Sequence, residues 1–171
     1  MKKIKLGQPV YRVKGVVHEF VKPVLCDFFS KLKSPPSKTD CISSLDWEEG
    51  SDMEREWVKF FLPFWYQSID PVINYLNCES INLQDIWFQQ YESGGSHGWH
   101  IHRGHFTGVY YVELSRDSAR TELLDPFTNR INSIKVDEGD LIIFPSHVRH
   151  RAPINKSKNK KTIVSWNFEI K

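Results

Sequence analysis

The stretch "YESGGSHGWHIH", from Tyr91 to His102, contains three of the chain's seven histidines. Two of them, His100 and His102, are separated by a single residue. Residues two apart on a β-strand point to the same side, so a strand here would present both imidazoles to one ion. The pair is therefore half of a candidate metal site, and a further ligand has to come from another part of the chain.

The sequence around this pair predicts strands. Short runs rich in β-branched and aromatic residues, separated by Gly, Pro, Asn and Asp, are typical of β-structure. These runs are "NLQDIWFQQY", "TGVYYVEL", "RINSIKV", "GDLIIFP" and "KTIVSWNFEI". The second half of the chain is therefore predicted to be β.

The first half has helical periodicity instead. A helix is predicted within "HEFVKPVLCDFFSKLK", although Pro23 argues against a straight, early-starting helix. Large apolar residues at helical spacing between Met53 and Leu76 predict two or three helical pieces, interrupted at Pro63 and Pro71.

Helices followed by a run of short strands predict a mainly β fold with N-terminal α, in which two sheets form a sandwich or barrel braced by the helices. A length of 171 residues fits a single domain. In this domain the supporting helices would cover about 17–77 and the β core about 81–170. The hydrophobic content of 40% is sufficient for a core, and the charged content of 26% is ordinary for a globular protein.

Charge and cysteine content narrow the classes of function. The net charge of +2 gives no indication of nucleic-acid or membrane binding, and the basic run "NKSKNKK" (155–161) is interpreted as a solvated hairpin turn rather than a phosphate-binding patch. Three widely spaced cysteines predict reduced thiols. No apolar signal-peptide core and no membrane span of ~20 apolar residues is visible, so a cytoplasmic location is predicted.

The best source of a third ligand is "GDLIIFPSHVRH", in which a predicted strand is followed by His147 and His150. Both histidines are candidates on the residues alone. Imidazole nitrogen suits iron, zinc, copper or nickel, so three histidines leave the identity of the metal open.

Strand alternation predicts which other side chains share the site. On the last strand, Lys161 and Asn167 fall on one face with Ile163 and Ser165, and this face could line a polar pocket. The opposite face would be covered by the helices. On the earlier strand, Gln89, Tyr91 and Trp87 share one face.

The order of these motifs resembles that of the 2-oxoglutarate and Fe(II)-dependent oxygenases, especially the prolyl-hydroxylase-like branch and the small oxygenases of bacteria and phages. In that branch a strand tyrosine stands nine residues before the first metal histidine, as Tyr91 stands before His100. A G-[DE]-hydrophobic-F pattern precedes the distal histidine, and a basic residue follows roughly ten positions later. Residues 139–144, His150 and Lys161 match that order.

The resemblance covers about Leu83 to Phe168, and the chain departs from the family pattern in two places. His102 stands where the family has a carboxylate ligand, and Asp125 is the candidate for a carboxylate supplied from elsewhere. Lys161 stands where an arginine is usual, which keeps the positive charge but loses bidentate geometry toward a carboxylate.

The resemblance implies a double-stranded β-helix, or jelly roll, with Fe(II) bound by His100, His102 and His150. It also implies that 2-oxoglutarate chelates the metal while its far carboxylate pairs with Lys161, aided by the Tyr91 hydroxyl. The implied activity is that of an oxidoreductase: dioxygen-dependent hydroxylation, with succinate and carbon dioxide as co-products. The substrate, a peptidyl residue or a small metabolite, is not indicated.

Two other functions remain open. A cupin-like, three-histidine oxygenase would need a metal but no 2-oxoglutarate; the cupin pattern, however, has a glutamate about four residues after the second histidine, where this chain has Phe106. The other alternative is a non-catalytic β-sandwich that binds a ligand or a protein and uses its histidines structurally. His97 and His105 are interpreted as solvent-facing or pocket-rim residues.

Overall fold

The computed structural model describes residues 9–32, 37 and 40–171. Over these residues the helices are α1 (His18–Lys31) and α2 (Glu56–Leu76), with a short 3-10 helix at Trp47–Glu49. The strands are β1 (Tyr11–Lys14), β2 (Ser44–Leu45), β3 (Ile81–Tyr91), β4 (His97–His100), β5 (Phe106–Glu113), β6 (Glu122–Leu124), β7 (Ile131–Ser133), β8 (Asp140–Pro145), β9 (His150–Ala152) and β10 (Lys161–Ile170). The mainly β composition with helices in the N-terminal half is confirmed.

The strands form two antiparallel sheets. The larger has six strands in the order β1-β8-β5-β10-β3-β2, and the smaller has four in the order β4-β9-β6-β7. Every pairing between neighbouring strands is antiparallel. The arrangement is consistent with the predicted β-sandwich.

Both helices cover one face of the larger sheet. Val164, Trp166 and Phe168 of β10 are fully buried in the same apolar cluster as Leu25 of α1 and Phe61 of α2. The alternation predicted for the last strand is therefore confirmed on its helix side. The opposite face of β10 belongs to a second apolar cluster, which includes Ile163.

The predicted breaks at prolines are wrong. α2 is a single helix that passes through Pro63 and Pro71, and α1 starts at His18 and passes through Pro23. Each proline removes one amide donor from its helix. In α2 this loss is outweighed by burial of one aromatic face against the sheet, because most of a helix's stability in a protein comes from tertiary packing. The buried aromatics of that face are Trp57, Phe61, Phe64 and Trp65.

The basic run at 155–161 is not a hairpin turn. It leads from β9 in the smaller sheet to β10 in the larger sheet, so it crosses between the sheets. Two of its polar residues, Asn155 and Ser157, are buried. The Asn155 amide donates hydrogen bonds to the carbonyl oxygens of Tyr91 and Asn159, 3.2 and 3.1 Å away. These bonds fix the crossing next to the start of β10.

Cys26, Cys41 and Cys78 are free thiols, and Cys41 is exposed. Neither helix of the described chain is long and apolar enough to cross a membrane. The cytoplasmic location stays a prediction.

Close packing at Gly108 provides a test of the fold. A Cβ atom at this position would lie 2.3 Å from Cζ2 of the buried Trp166. Overpacking of a filled core typically costs about 1–3 kcal/mol. We therefore expect Gly108→Ala to lower the free energy of unfolding by about that amount in urea denaturation followed by tryptophan fluorescence.

Gly98→Ala is the matched control, because a Cβ atom there meets no heavy atom closer than 3.7 Å. Equal unfolding free energies for the two variants would contradict the packing of Trp166 against Gly108.

Candidate metal centre

Three histidines from two strands and a loop converge in the structure. β4 pairs with β9 so that His100 lies directly opposite His150. The chain then continues to His102, whose backbone N–H donates to the Ser146 carbonyl at 3.0 Å. One ring nitrogen from each histidine lies within 4.8 Å of the other two. The fold thus brings together the three residues that the sequence predicted as a group.

The spacing of the ring nitrogens fits a shared ion. Nε2 of His102 lies 3.2 Å from Nε2 of His150. Two imidazole nitrogens bound at about 2.1 Å and separated by about 90–109° around one ion would lie about 3.0–3.4 Å apart. At this distance the two rings share an N–H···N hydrogen bond when His102 carries its proton on Nε2, and they can bind one cation through both Nε2 atoms when it does not.

Backbone carbonyls orient two of the three rings. Nδ1 of His100 is 2.7 Å from the Gly98 carbonyl oxygen, and Nδ1 of His150 is 2.9 Å from the Val148 carbonyl oxygen. A carbonyl accepts only from N–H, so the proton of each neutral ring is assigned to Nδ1. The Nε2 lone pairs of both rings are left for a metal, which is the usual arrangement around metal-bound histidines.

Burial keeps these histidines neutral. Burial, together with the smaller effect of the neighbouring His100, lowers the pKa of His150 to about 2 and the pKa of His102 to about 3. Burial also lowers the pKa of His100. Neutral imidazole is the form that binds metals. The group is therefore in its ligand form at neutral pH.

The histidines border a narrow cavity between the two sheets, of about 20 Å³, which is room for about one water molecule. Trp87, Gln89 and Tyr91 of β3 line it together, in agreement with the strand alternation. Ile163 and Ser165 of β10 line it from the neighbouring strand. The Tyr91 hydroxyl donates to the Gln89 side-chain oxygen at 3.0 Å.

Lys161 is buried next to this pocket without lining it. Its side chain is on the same strand face as Ile163, and Nζ lies 5.2 Å from the ring centroid of Tyr91. Nζ donates to the Ala119 carbonyl oxygen at 2.8 Å. None of the ion pairs among the described residues includes Lys161. Burial, together with the smaller effect of the Arg120 charge, lowers the pKa of Lys161 to about 7.

Three other predicted candidates lie outside the histidine group. The Asp125 carboxylate is in the turn between β6 and β7, where it accepts hydrogen bonds from the amides of Phe127 and Thr128 at 2.8 and 3.2 Å. Asn167 is buried further along β10 and donates to Asp85 at 3.4 Å. His147 is exposed between β8 and β9. Of the two C-terminal candidates, His150 is the one that faces His100 and His102.

Two residues beside the site lie outside the predicted set of ligands: His97, which was expected in solvent or at the pocket rim, and Asp40, for which no role was predicted. His97 lines the pocket and stacks on His100 with ring centroids 3.9 Å apart. Residues three apart on a regular strand face opposite sides, but a register shift between His97 and His100 brings both to the pocket. The Asp40 carboxylate lies 3.7 Å from Nε2 of His97, and no pattern in the sequence connects the two. His105 is exposed, as expected.

The buried ammonium of Lys161 has a consequence for stability. In the unfolded chain its pKa is the ordinary 10.5, whereas in the folded chain it is about 7. Between these pH values the unfolded chain binds more protons, so the unfolding free energy should rise with pH across this window, by up to about 1.4 kcal/mol per unit. Below pH 7 both states are protonated and the cost of burying the charge is fully present.

We expect Lys161→Met to be more stable than the parent at pH 7 and to lack this rise. Urea denaturation of metal-free protein at several pH values from 6.5 to 9.5 measures both effects. Lys160→Met is the matched control, because the Lys160 side chain is 37% exposed. Parallel pH profiles for Lys161→Met and the parent would contradict a buried, protonated ammonium.

The sequence matches no family model and no curated protein. Several solved structures are similar. A Pseudomonas putida prolyl-4-hydroxylase aligns over 94% of this chain and 91% of its own at 16% identity, with a TM-score of 0.64. The α-ketoglutarate-dependent epimerase SnoN from nogalamycin biosynthesis aligns over 94% and 76% at 10% identity, with a TM-score of 0.74. HygX from Streptomyces hygroscopicus aligns over 95% and 83% at 8% identity, with a TM-score of 0.72. The chain therefore shares the fold of these three proteins.

Proposed function

We propose that the chain is an Fe(II)- and 2-oxoglutarate-dependent dioxygenase that hydroxylates a substrate and releases succinate and carbon dioxide. The convergence of His100, His102 and His150 beside a pocket is the observation that carries this proposal. The shared fold supports it, since HygX was crystallised with nickel, 2-oxoglutarate and hygromycin B bound. The two sheets would then be a single jelly-roll domain, with the helices as its support.

In this proposal Nε2 of His100 and Nε2 of His150 bind the metal, together with a ring nitrogen of His102. Three neutral imidazoles leave the full charge of a divalent ion to be balanced by added ligands. The near carboxylate of a chelating 2-oxoglutarate balances one of the two charges, since the far carboxylate pairs with Lys161. His102 in place of a carboxylate changes metal affinity without abolishing it. Bound iron, 2-oxoglutarate and dioxygen would supply the oxidation of a C–H bond.

Lys161 would provide the cation for the far carboxylate of 2-oxoglutarate. A charge-assisted pair in a buried site is stronger than an exposed one, and among the described residues the ammonium donates its hydrogen bond only to a neutral carbonyl. Because Lys161 lies just beyond the pocket lining, the carboxylate has to reach it beside the Tyr91 ring, which is within 5.2 Å of Nζ. The Tyr91 hydroxyl can add a hydrogen bond there.

Apolar side chains around the pocket would exclude water from the reacting groups. Trp87, Val109 and Ile163 are buried and line it. A pocket with few competing dipoles strengthens the ion pairs inside it, and the protein's share of such chemistry is to bind, orient and exclude water.

Metal binding can be tested with Co(II), which is followed by its visible absorption without oxidation of the site. His150→Ala removes one of three ligands. We expect its affinity for Co(II) to fall by more than the roughly 10–100-fold that loss of an outer-shell partner costs. His147→Ala is the matched control, three positions away and exposed. Equal affinities for both variants would contradict the proposed ligand set.

Cosubstrate binding can be tested by titrating anaerobic, Fe(II)-loaded protein with 2-oxoglutarate. Chelation of iron by this ligand produces a visible charge-transfer band. A hydrogen bond to a charged group is worth about 1.5–3 kcal/mol, so Lys161→Ala should weaken 2-oxoglutarate binding by about 10–150-fold. Lys160→Ala should bind like the parent. A parent-like titration of Lys161→Ala would rule out this lysine as the anchor.

A second candidate function is favoured by the all-imidazole ligand set. A cupin-like oxygenase would bind iron through the same histidines but would not need 2-oxoglutarate. Iron binding with no charge-transfer band at saturating 2-oxoglutarate would support that function. Absence of metal binding would leave a non-catalytic β-sandwich module.

A further inference from the structure

β4 is the least supported of the elements that carry the three histidines. It has four residues, lies at the edge of the smaller sheet and pairs with β9 alone in that sheet. Its register also shifts between His97 and His100. A bulge leaves residues outside the regular ladder, and glycine has the widest backbone freedom. Gly98, which falls inside this shift, is therefore the point at which the strand would vary most.

The orientation of His100 depends on Gly98. The carbonyl oxygen of Gly98 accepts the hydrogen bond from Nδ1 of His100 at 2.7 Å. A rotation of the Gly98 backbone would move this acceptor and release the ring. A contact that holds the Gly98 backbone in place therefore also sets the direction of the Nε2 lone pair of His100.

Asp40 contacts β4 on its free edge. One carboxylate oxygen accepts from the Gly98 N–H at 3.0 Å, and the other lies 3.7 Å from Nε2 of His97. Cys41, the residue after Asp40, also contacts this part of the chain. The Ser96 N–H donates to the Cys41 carbonyl oxygen at 3.0 Å, and the two residues form an isolated β-bridge. Asp40 and Cys41 therefore lie along the edge of β4 that faces away from β9.

We infer that Asp40 is a positioning residue of the metal centre, which holds His100 through two neighbours. One path runs through Gly98, whose carbonyl orients the His100 ring. The other runs through His97, whose ring lies nearly parallel to that of His100 at 16° and 3.9 Å between centroids. The inference rests on the proposed metal-binding function.

The charge of Asp40 adds to its hydrogen bonds. All three proposed ligands are neutral imidazoles, so no ligand balances a divalent ion. The Asp40 carboxylate lies outside the ligand set, separated from His100 by Gly98 and His97. Outer carboxylates orient metal-bound histidines and raise their basicity in known metal sites. Here the carboxylate acts through a backbone amide and a stacked imidazole.

Two substitutions separate these contributions. Asp40→Asn keeps an oxygen that can accept from the Gly98 N–H but removes the charge, whereas Asp40→Ala removes both. We expect Asp40→Ala to weaken Co(II) binding by roughly 10–100-fold and to shift the visible Co(II) spectrum, because His100 is no longer held in one orientation. Asp40→Asn should lie between Asp40→Ala and the parent in affinity.

Asp27→Asn is the control for removal of a carboxylate, because Asp27 is exposed on α1 and pairs with Lys31. It should bind Co(II) like the parent. Urea denaturation of the metal-free variants measures any general loss of stability.

Parent-like affinity and spectrum in Asp40→Ala would overturn the inference. A loss of affinity with an unchanged spectrum, in step with lower stability of the metal-free protein, would overturn it too, because Asp40 would then only support the fold. If Asp40→Ala does not fold, Asp40→Asn decides, and parent-like affinity and spectrum count against the inference. A parent that binds no Co(II) would overturn the proposed function itself, which is a separate result.

Discussion

β10 carries the constraint on which the rest of the structure depends. It lies between β3 and β5 in the larger sheet, so both its edges are paired and both its faces are covered. One face presents Trp166 to the helices, and the other presents Ile163 to the pocket. A shift of one residue would put Lys161 among the aromatic side chains of the helical layer, because strand side chains alternate. The register of this strand is therefore fixed, because its two faces are buried in different environments.

The pocket side contains groups that oppose folding on their own. A buried ammonium without an ion pair among the described residues and three desolvated imidazoles cost stability compared with apolar residues of the same size. A cation among the imidazoles and a carboxylate beside Lys161 would each offset one of these costs. Ligands that bind only the folded state stabilise it, so the proposed metal and cosubstrate would strengthen the fold that holds them.

The distribution of negative charge distinguishes this centre from one with a carboxylate ligand. His102 occupies the second position of the H-x-H pair, and Asp125 lies in the turn between β6 and β7, where its carboxylate accepts backbone hydrogen bonds. In the proposed centre the compensating charge comes from the bound dicarboxylate and from Asp40, outside the ligand set. The histidines then set the position of the metal, and the charges around them set how strongly it is held.

By itself the sequence determined the β-rich half, the strand faces and the H-x-H pair, because alternation and β-propensity are local properties. Local rules failed where tertiary packing outweighed them: α2 continues through Pro63 and Pro71 because its aromatic face is buried. The residues alone left His147 and His150 open, and the family resemblance favoured His150. The pairing of β9 with β4, which no local pattern contains, is what brings His150 opposite His100. Only the tertiary structure placed Asp40 beside His97, since that contact depends on an edge bridge between segments far apart in the chain.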